Sequence, residues 1–167
     1  MTEEIGLPEP ERLLLSTRRE YLEAFERLLG LARRELRVFD TDLALLGVDA
    51  PQTNELLRAF LLRHRDNRLY IAVHDTTHIR GQCPRLLHLL RQTSDRLFIN
   101  QTEGEAARAQ DSFVLADRLH FLRRPVQAQP RAVLRLNDAQ ESQGIHLRFT
   151  EIWDSSVPAV SPSTSGL

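Results

Sequence analysis

The chain has 167 residues, 41% of them hydrophobic and 27% charged, which is enough for one domain with its own core. No apolar run approaches the length of a membrane span, and the acidic residues 1–4 are unlike a signal peptide. The single cysteine excludes an internal disulfide, and we expect a cytoplasmic protein. The formal net charge of −1 provides no general attraction to nucleic acid, so that partner is not expected.

Every basic side chain apart from histidine is arginine, and the sequence contains no lysine. Codon usage in a GC-rich bacterial genome explains this more simply than a requirement for forked donor groups. Whatever the cause, no site in this chain can use a lysine.

The first part of the chain predicts a loose lead-in over residues 1–10, followed by a helix. Thr17 and Glu20 have the spacing of a capping box, in which each side chain binds a free backbone amide of the other residue. A short apolar run over residues 36–39 predicts the first strand, and Pro51 is suited to the first position of the next helix.

The middle of the chain continues this alternation. Residues 69–73 are apolar at both alternating sets of positions, which is typical of a strand buried on both faces of a parallel sheet. Pro84 predicts the start of another helix, and residues 97–99 predict a third strand. The order of helices and strands indicates an α/β fold with crossover connections.

The second half predicts three strands joined by short polar links, over residues 112–116, 119–122 and 132–136. Asp117 and Arg118 form a break short enough for a hairpin between the first two. A change from long crossovers to short links indicates antiparallel strands, and hence a mixed sheet.

Asp138 and Glu141 predict a capped last helix, whose apolar stripe has helical spacing. The stripe consists of Ile145, Phe149, Ile152 and Trp153. The same segment also alternates as a strand would, and Gly144 disfavours a helix by about 1 kcal/mol; we predict a helix because Trp153 then joins the stripe. Residues 155–167 are rich in Ser and Pro and predict a disordered tail, so the domain is expected to span residues 11–154.

The segment Gln110–Asp117 carries the strongest functional signal. Its spacing resembles the phospholipase D motif, in which His-x-Lys is followed, after four apolar strand residues, by Asp. Asp117 takes the Asp position, while Gln110 stands at the His position and Ser112 at the Lys position. The family usually has Gly after the Asp, where this chain has Arg118.

The resemblance implies one half of a phospholipase D-like fold: a mixed sheet flanked by helices on both faces. Two motif copies meet in the active family, so a chain with one half is expected to form a homodimer with residues 112–116 near its two-fold axis. It also implies a bacterial accessory protein, with a protein partner or an anionic small molecule as its ligand.

In that family the motif His attacks phosphorus and the Lys neutralises phosphate charge. Neither Gln110 nor Ser112 supplies these groups, so the resemblance implies a non-catalytic binding or interaction domain. Two alternatives stay open. One is a phosphodiesterase or nuclease with a relocated site that uses His74 or His120, and the other is an anion or nucleotide sensor. For Asp117 itself, capping of nearby backbone amides is the simplest role.

Five arginines and no acidic residue lie in residues 118–135, and Arg118, Arg123 and Arg124 are the candidate anion ligands. Arginines that protect a solvated edge strand would have the same pattern. No cofactor is indicated.

A second candidate site is a crevice at the carboxyl ends of the parallel strands, where α/β sheets bind ligands. Polar side chains follow each predicted strand, and polar loops would look the same. The crevice candidates are Asp40, His74, Asp75 and Asn100, with Asp42 and Gln101 beside them.

A metal site is not expected. His74 and His78 would share a face if residues 74–78 were helical, and Cys83 would then be a third ligand. Thr76 and Thr77 are typical of a loop, however, which breaks that spacing.

Overall fold

The computed structural model describes residues 8–162, which form one mixed β-sheet with helices packed on it. Its strands in chain order are β1 (Glu11–Leu15), β2 (Glu35–Asp40), β3 (Arg68–Val73), β4 (Leu97–Thr102), β5 (Ser112–Ala116), β6 (His120–Arg124), β7 (Ala132–Leu136) and β8 (Ser156–Val160). Across the sheet they follow the order β1-β7-β6-β5-β2-β3-β4-β8.

The parallel half consists of β2, β3 and β4. Their connections contain the helices α2 (Pro51–Arg63), α3 (Thr77–Gln82) and α4 (Pro84–Gln92). Pro51 and Pro84 both occupy the start of their helices, where the missing amide hydrogen is not needed. Three predicted strands and two predicted helices are therefore confirmed, although each strand is longer than its apolar run.

The antiparallel half is built from β5, β6, β7 and β1. The predicted hairpin between β5 and β6 is confirmed, and its turn residues Asp117 and Arg118 have φ values of 56° and 53°. Two successive left-handed residues form the hairpin turn that suits the twist of the strands. Because β5 also pairs antiparallel with β2, it joins the two halves at the centre of the sheet.

The two faces of the sheet are covered unequally. Helix α1 (Arg18–Leu31) and helices α2 to α4 bury the larger core on one face, called here the four-helix face. Helix α5 (Ala139–Asp154) and the 3₁₀ turn Gly104–Arg108 cover the other, called here the α5 face, over a small aromatic core. The expected mixed sheet with helices on both faces is confirmed.

Local signals set the ends of α1 and α5. Thr17 and Glu20 form the predicted capping box, and the Asp138 carboxylate accepts the Glu141 amide at 3.0 Å. The alternating pattern after Gly144 is helical rather than extended, because Phe149 and Ile152 then reach the same buried core.

Three elements differ from the sequence expectation. β1 pairs with β7, and α3 begins at Thr77 where a loop was predicted. The tail expected to be disordered from residue 155 contains β8, which pairs with the edge of β4 as far as Val160. Most of the predicted lead-in, residues 1–7, and the last part of the tail, residues 163–167, lie outside the described residues. No helix in the described part of the chain is long and apolar enough to cross a bilayer.

Candidate functional site

The motif carboxylate lies in the turn between β5 and β6, where it binds the loop that follows α1. Asp117 Oδ2 accepts the Arg33 amide at 2.8 Å, and Oδ1 accepts the amides of Arg34 and Glu35 at 2.8 and 3.0 Å. Three amide donors occupy both oxygens, so this carboxylate fastens the hairpin to the start of β2. This is the capping role that was expected as the simplest one.

The other two motif positions lie at the opposite end of β5, about 17 Å away for five residues of antiparallel strand. Gln110 is exposed, and its backbone carbonyl accepts the backbone amide of Gln127 at 2.7 Å. Ser112 is 1% exposed and lies on the four-helix face. The three motif positions therefore do not form one site.

Ser112 belongs to a buried polar group that sequence spacing does not reveal, with Tyr21 from α1, Asp40 from β2 and Arg124 from β6. Ser112 and Arg124 are direct cross-strand partners. The Tyr21 hydroxyl faces Ser112, and neither oxygen has a hydrogen bond of good geometry with any described residue. Burial, and next the nearby Asp40, raise the pKa of Tyr21, so its hydroxyl stays protonated.

Asp111, between the two substituted motif positions, forms an ion-pair network on the α5 face. Arg148 of α5 donates to both carboxylate oxygens at 2.9 and 2.5 Å, and Arg123 donates at 3.4 Å. Burial favours the neutral acid, but Arg148 and then Arg123 outweigh it and hold the pKa of Asp111 below its ordinary value. Sequence spacing does not reveal this network, because its members lie on separate elements.

The three candidate anion ligands are separated by the hairpin. Arg118 lies in the turn, 3.5 Å from Glu35, whereas Arg123 and Arg124 lie at the far end of β6 on opposite faces of the sheet. Arg123 pairs with Asp111, while the Arg124 guanidinium stacks on the Tyr21 ring at 5.1 Å. The three candidate anion ligands therefore do not form one site, because alternation along β6 sends neighbouring side chains to different faces.

The crevice candidates are also largely engaged in local hydrogen bonds. Asp40 Oδ2 accepts the Leu43 amide at 2.8 Å, and Asp75 Oδ1 accepts the Thr77 amide at the same distance. Asn100 donates to Ser156 Oγ at 2.9 Å. Burial raises the pKa of Asp40, although its bonds from the Leu43 and Asp42 amides oppose the shift. These side chains order the ends of the strands.

His74 is held by both ring nitrogens. Nδ1 contacts Thr102 Oγ1 at 2.6 Å, and Nε2 contacts the Ala109 carbonyl at 2.8 Å. Because a carbonyl only accepts, Nε2 carries hydrogen, and neither nitrogen is free to bind a ligand.

The metal hypothesis has no geometric support within residues 8–162, where no three His, Cys, Asp or Glu side chains form a metal-binding group. Cys83 is buried where α4 begins, and burial, with Asp49 and Asp42 nearby, raises the pKa of its thiol to about 11. A thiol of that kind is a poor metal ligand, because the thiolate is the binding form.

Two cavities lie beside these groups. One of about 570 Å³ adjoins the β5–β6 turn and is lined by Pro8, Leu31, Arg33, Arg34, Glu35, Asp117, Leu119, His120 and Asn137. The other, of about 370 Å³, lies beside the buried polar group and is lined by Arg18, Tyr21, Leu45, Arg124, Gln127, Ala128, Gln129 and Pro130.

Solved structures share this arrangement of strands and helices. Nuc, a phospholipase D family member from Salmonella typhimurium, is 14% identical with a TM-score of 0.60, over 92% of this chain and 100% of that one. NucT from Helicobacter pylori is 10% identical with a TM-score of 0.63, over 90% and 100%. These likenesses show that the chain has a phospholipase D-like fold.

TrmBL2, an archaeal chromatin protein described as showing a novel mode of DNA binding, is also similar. It is 8% identical with a TM-score of 0.65 over 95% of this chain, which spans 57% of the TrmBL2 chain. Sequence identities this low show a shared fold and nothing more.

A search of curated proteins finds no match. A family model matches residues 17–161, and the chain belongs to that family, described as "Domain of unknown function (DUF7931)".

Proposed function

We propose that this chain is a phospholipase D-like domain without phosphodiester chemistry, which acts as a binding or interaction module and forms a homodimer. The proposal rests on the side chains that occupy the two positions that are reactive in the phospholipase D motif. Gln110 offers an exposed neutral amide, and the Ser112 hydroxyl is buried beneath Tyr21. Neither group is a nucleophile or a proton donor at neutral pH, and neither carries charge to bind phosphate.

A relocated active site is the second candidate, because His120 lines the 570 Å³ cavity together with Asp117, Arg33 and Arg34. The contacts of these residues support the non-catalytic role instead. His120 Nδ1 accepts the Asn137 amide at 2.9 Å, and three amides occupy Asp117. A catalytic dyad requires a hydrogen bond between nucleophile or base and its orienting partner, and this pair has none.

Turnover assays test the choice between these candidates. We expect no hydrolysis of bis(p-nitrophenyl) phosphate, DNA or phosphatidylcholine by the purified protein. The variants are His120→Gln, which removes the cavity imidazole, and His88→Gln, which changes an exposed imidazole on α4 as a control. Hydrolysis that is lost in the first variant and kept in the second would overturn the proposal in favour of a relocated site.

The dimer is proposed through the α5 face. β5 is buried on both sides, so a two-fold axis near this strand passes through one of the helices that cover it. On the described part of the chain α5 is the one α-helix over that face, and its Leu147 side chain is 56% exposed. On the same face, half-buried Tyr70 and Trp153 line a cavity of about 120 Å³ with Arg37. Apolar surface of this kind is typical of an interface.

Light scattering at 100 micromolar protein is the test. We expect a dimer mass for the wild type and a monomer mass for Leu147→Glu, which places a charge at the centre of the proposed interface. Leu62→Glu is the matched control, since Leu62 is 49% exposed on α2 of the other face. A monomeric wild type, or a dimer that persists in Leu147→Glu and dissociates in Leu62→Glu, would contradict this interface.

A further inference from the structure

The 370 Å³ cavity lies on the four-helix face, between the first turn of α1, the end of β6 and the segment 127–130. Two of its lining side chains, Tyr21 and Arg124, are 2% and 5% exposed and each carries a buried polar atom without a hydrogen bond. These atoms are the Tyr21 hydroxyl oxygen and Arg124 Nε. The Tyr21 hydroxyl faces Ser112, which leaves Arg124 Nε as the unpaired buried donor. A buried donor without a partner is rare, so its presence beside a cavity points to a ligand.

The charge of Arg124 is the main feature of this cavity. Its guanidinium stacks on Tyr21 and donates through Nη2 to the Gln127 carbonyl, but no carboxylate of residues 8–162 forms an ion pair with it. Arg37, which is 8% exposed, differs because it binds Glu35 at 2.7 Å. Buried cations are normally paired in this way, since desolvation of an unpaired charge is costly.

The surroundings add positive potential. Arg18 is exposed at the start of α1 and lines the same cavity, and the amino end of a 14-residue helix carries partial positive charge. Two carboxylates lie near. Glu20 is bound to the amides of Ser16 and Thr17 in the capping box, and Asp40 accepts the amides of Asp42 and Leu43. Neither carboxylate lies within ion-pair distance of Arg18 or Arg124, although the Arg124 charge attracts the Asp40 carboxylate from further away.

We propose that this cavity binds the phosphate group of a small phosphomonoester, with Arg124 and Arg18 as its cationic ligands. A guanidinium presents two parallel donors that match two phosphate oxygens, and stacking on the Tyr21 ring holds the Arg124 guanidinium in place. The inference rests on the proposed function, because it names the ligand class of a non-catalytic binding domain.

The size of the cavity indicates more than a bare anion. A volume of about 370 Å³ lies within the range of small-molecule sites and exceeds the space that one phosphate group occupies. Gln127 and Gln129 offer side-chain amides to a polar organic part, and Leu45 and Pro130 offer apolar contact. A ligand with a sugar-sized group attached to phosphate fits these contacts better than inorganic phosphate.

Calorimetry at pH 7 and two salt concentrations tests the site, with ribose 5-phosphate, inorganic phosphate and ribose as probes. We expect wild-type protein to bind ribose 5-phosphate most tightly, inorganic phosphate about tenfold more weakly, and ribose not at all. Arg124→Gln is expected to weaken ribose 5-phosphate binding at least tenfold, and Arg18→Gln about threefold, because Arg18 is exposed and its contact is screened.

Arg123→Gln is the matched control, because Arg123 is the preceding residue of β6 and points to the opposite face, where it pairs with Asp111. Its affinity for ribose 5-phosphate should equal that of the wild type. Binding that is absent in the wild type, or unchanged in both Arg124→Gln and Arg18→Gln, would overturn the phosphate site. An inactive dimer would then still support the proposed function. Conversely, phosphodiester turnover would overturn the proposed function, whereas binding that depends on Arg124 would still support the phosphate site.

Discussion

The two ends of β5 both lie in the motif-like segment 110–117, but their residues make different contacts. At the turn end, the Asp117 carboxylate accepts three backbone amides and joins the hairpin to the loop after α1. At the other end, the Gln110 amide is exposed, the Ser112 hydroxyl is buried, and Arg124 on the next strand is the cross-strand partner of Ser112. One end of β5 thus has a role in fastening the fold, whereas the other end adjoins a buried polar group.

The two ends also differ in what holds them. The turn end depends on one carboxylate and on strained backbone, whereas the far end depends on the Asp111 network and on stacking between Arg124 and Tyr21. Substitutions should therefore destabilise the protein at both ends, through lost hydrogen bonds to a carboxylate at the turn end and through lost ion pairs or stacking at the far end.

The largest effect is expected at the turn end, from Asp117→Ala. The substitution leaves the amides of Arg33, Arg34 and Glu35 without their acceptor, and hydrogen bonds to a charged group contribute about 1.5–3 kcal/mol each. Since water reaches part of this loop, we expect a loss of about 2–4 kcal/mol in the free energy of unfolding, measured with urea. Asp95→Ala, at a side chain that is 75% exposed, should change it by less than about 0.5 kcal/mol. Equal effects would refute the fastening role of Asp117.

At the far end, Arg148→Gln should cost about 2 kcal/mol at pH 7, because it removes the closer partner of a buried carboxylate and leaves Arg123 in place. The wild-type pKa of Asp111 is below the ordinary value, so its stabilisation is complete above about pH 3.9 and is lost as pH falls through the folded pKa. In the variant, burial is less opposed, so the folded pKa of Asp111 lies closer to the unfolded value and less stability is lost as pH falls. Arg19→Gln, which breaks an exposed pair, is the control. If the free energy of unfolding depends on pH in the same way in the wild type and in Arg148→Gln, Arg148 does not lower the pKa of Asp111.

A smaller effect of opposite sign is expected for Arg118→Gly. Arg118 has φ 53°, a conformation that glycine adopts without a side-chain penalty, and its 3.5 Å contact with Glu35 is largely exposed. We expect stabilisation by about 0.5–1 kcal/mol. Arg118→Ala removes the same ion pair but keeps the strain, so it should not stabilise. If both variants have the same unfolding midpoint, turn strain is not the cause.

The smallest effect concerns His120 at the turn end. Burial lowers its pKa despite the nearby Asp117, and Nδ1 must be unprotonated to accept the Asn137 amide. As pH falls below about 6.5, the unfolded chain takes up this proton before the folded protein does, so stability decreases. His120→Gln should reduce this pH dependence, measured by thermal unfolding, and His88→Gln should keep it. If the stability of His120→Gln depended on pH more steeply than that of the wild type, folding would have to raise the pKa of His120 rather than lower it.

Local chemistry explains which parts of the fold could be predicted from sequence. The capping box of α1, the prolines of α2 and α4, and the hairpin at Asp117 are short-range signals, and all of them are confirmed. The local sequence does not predict β1 or β8, because pairing with distant strands stabilises them. In β8, Pro158 pointed to a loop, but an edge strand tolerates a proline that cannot donate a hydrogen bond.

The candidate site was less accessible to prediction. Ser112 and Arg124 are brought together by strand register, and Tyr21 reaches them through the packing of α1 on the sheet. Asp111 and Arg148 are 37 positions apart on different elements. Alternation along β6 was enough to show that Arg123 and Arg124 face opposite sides, but not which of them lacks a carboxylate partner.

The central place of β5 has a consequence for the order in which the chain is made. β2, β3 and β4 are synthesised before β5, and the edge of β2 that includes Val38 and Phe39 has no partner until residues 112–116 emerge. Unpaired apolar strand edges recruit other chains, so this interval is when the nascent protein is most exposed to aggregation. Arrival of β5 closes that edge, and the Asp117 carboxylate then binds amides made more than 80 residues earlier.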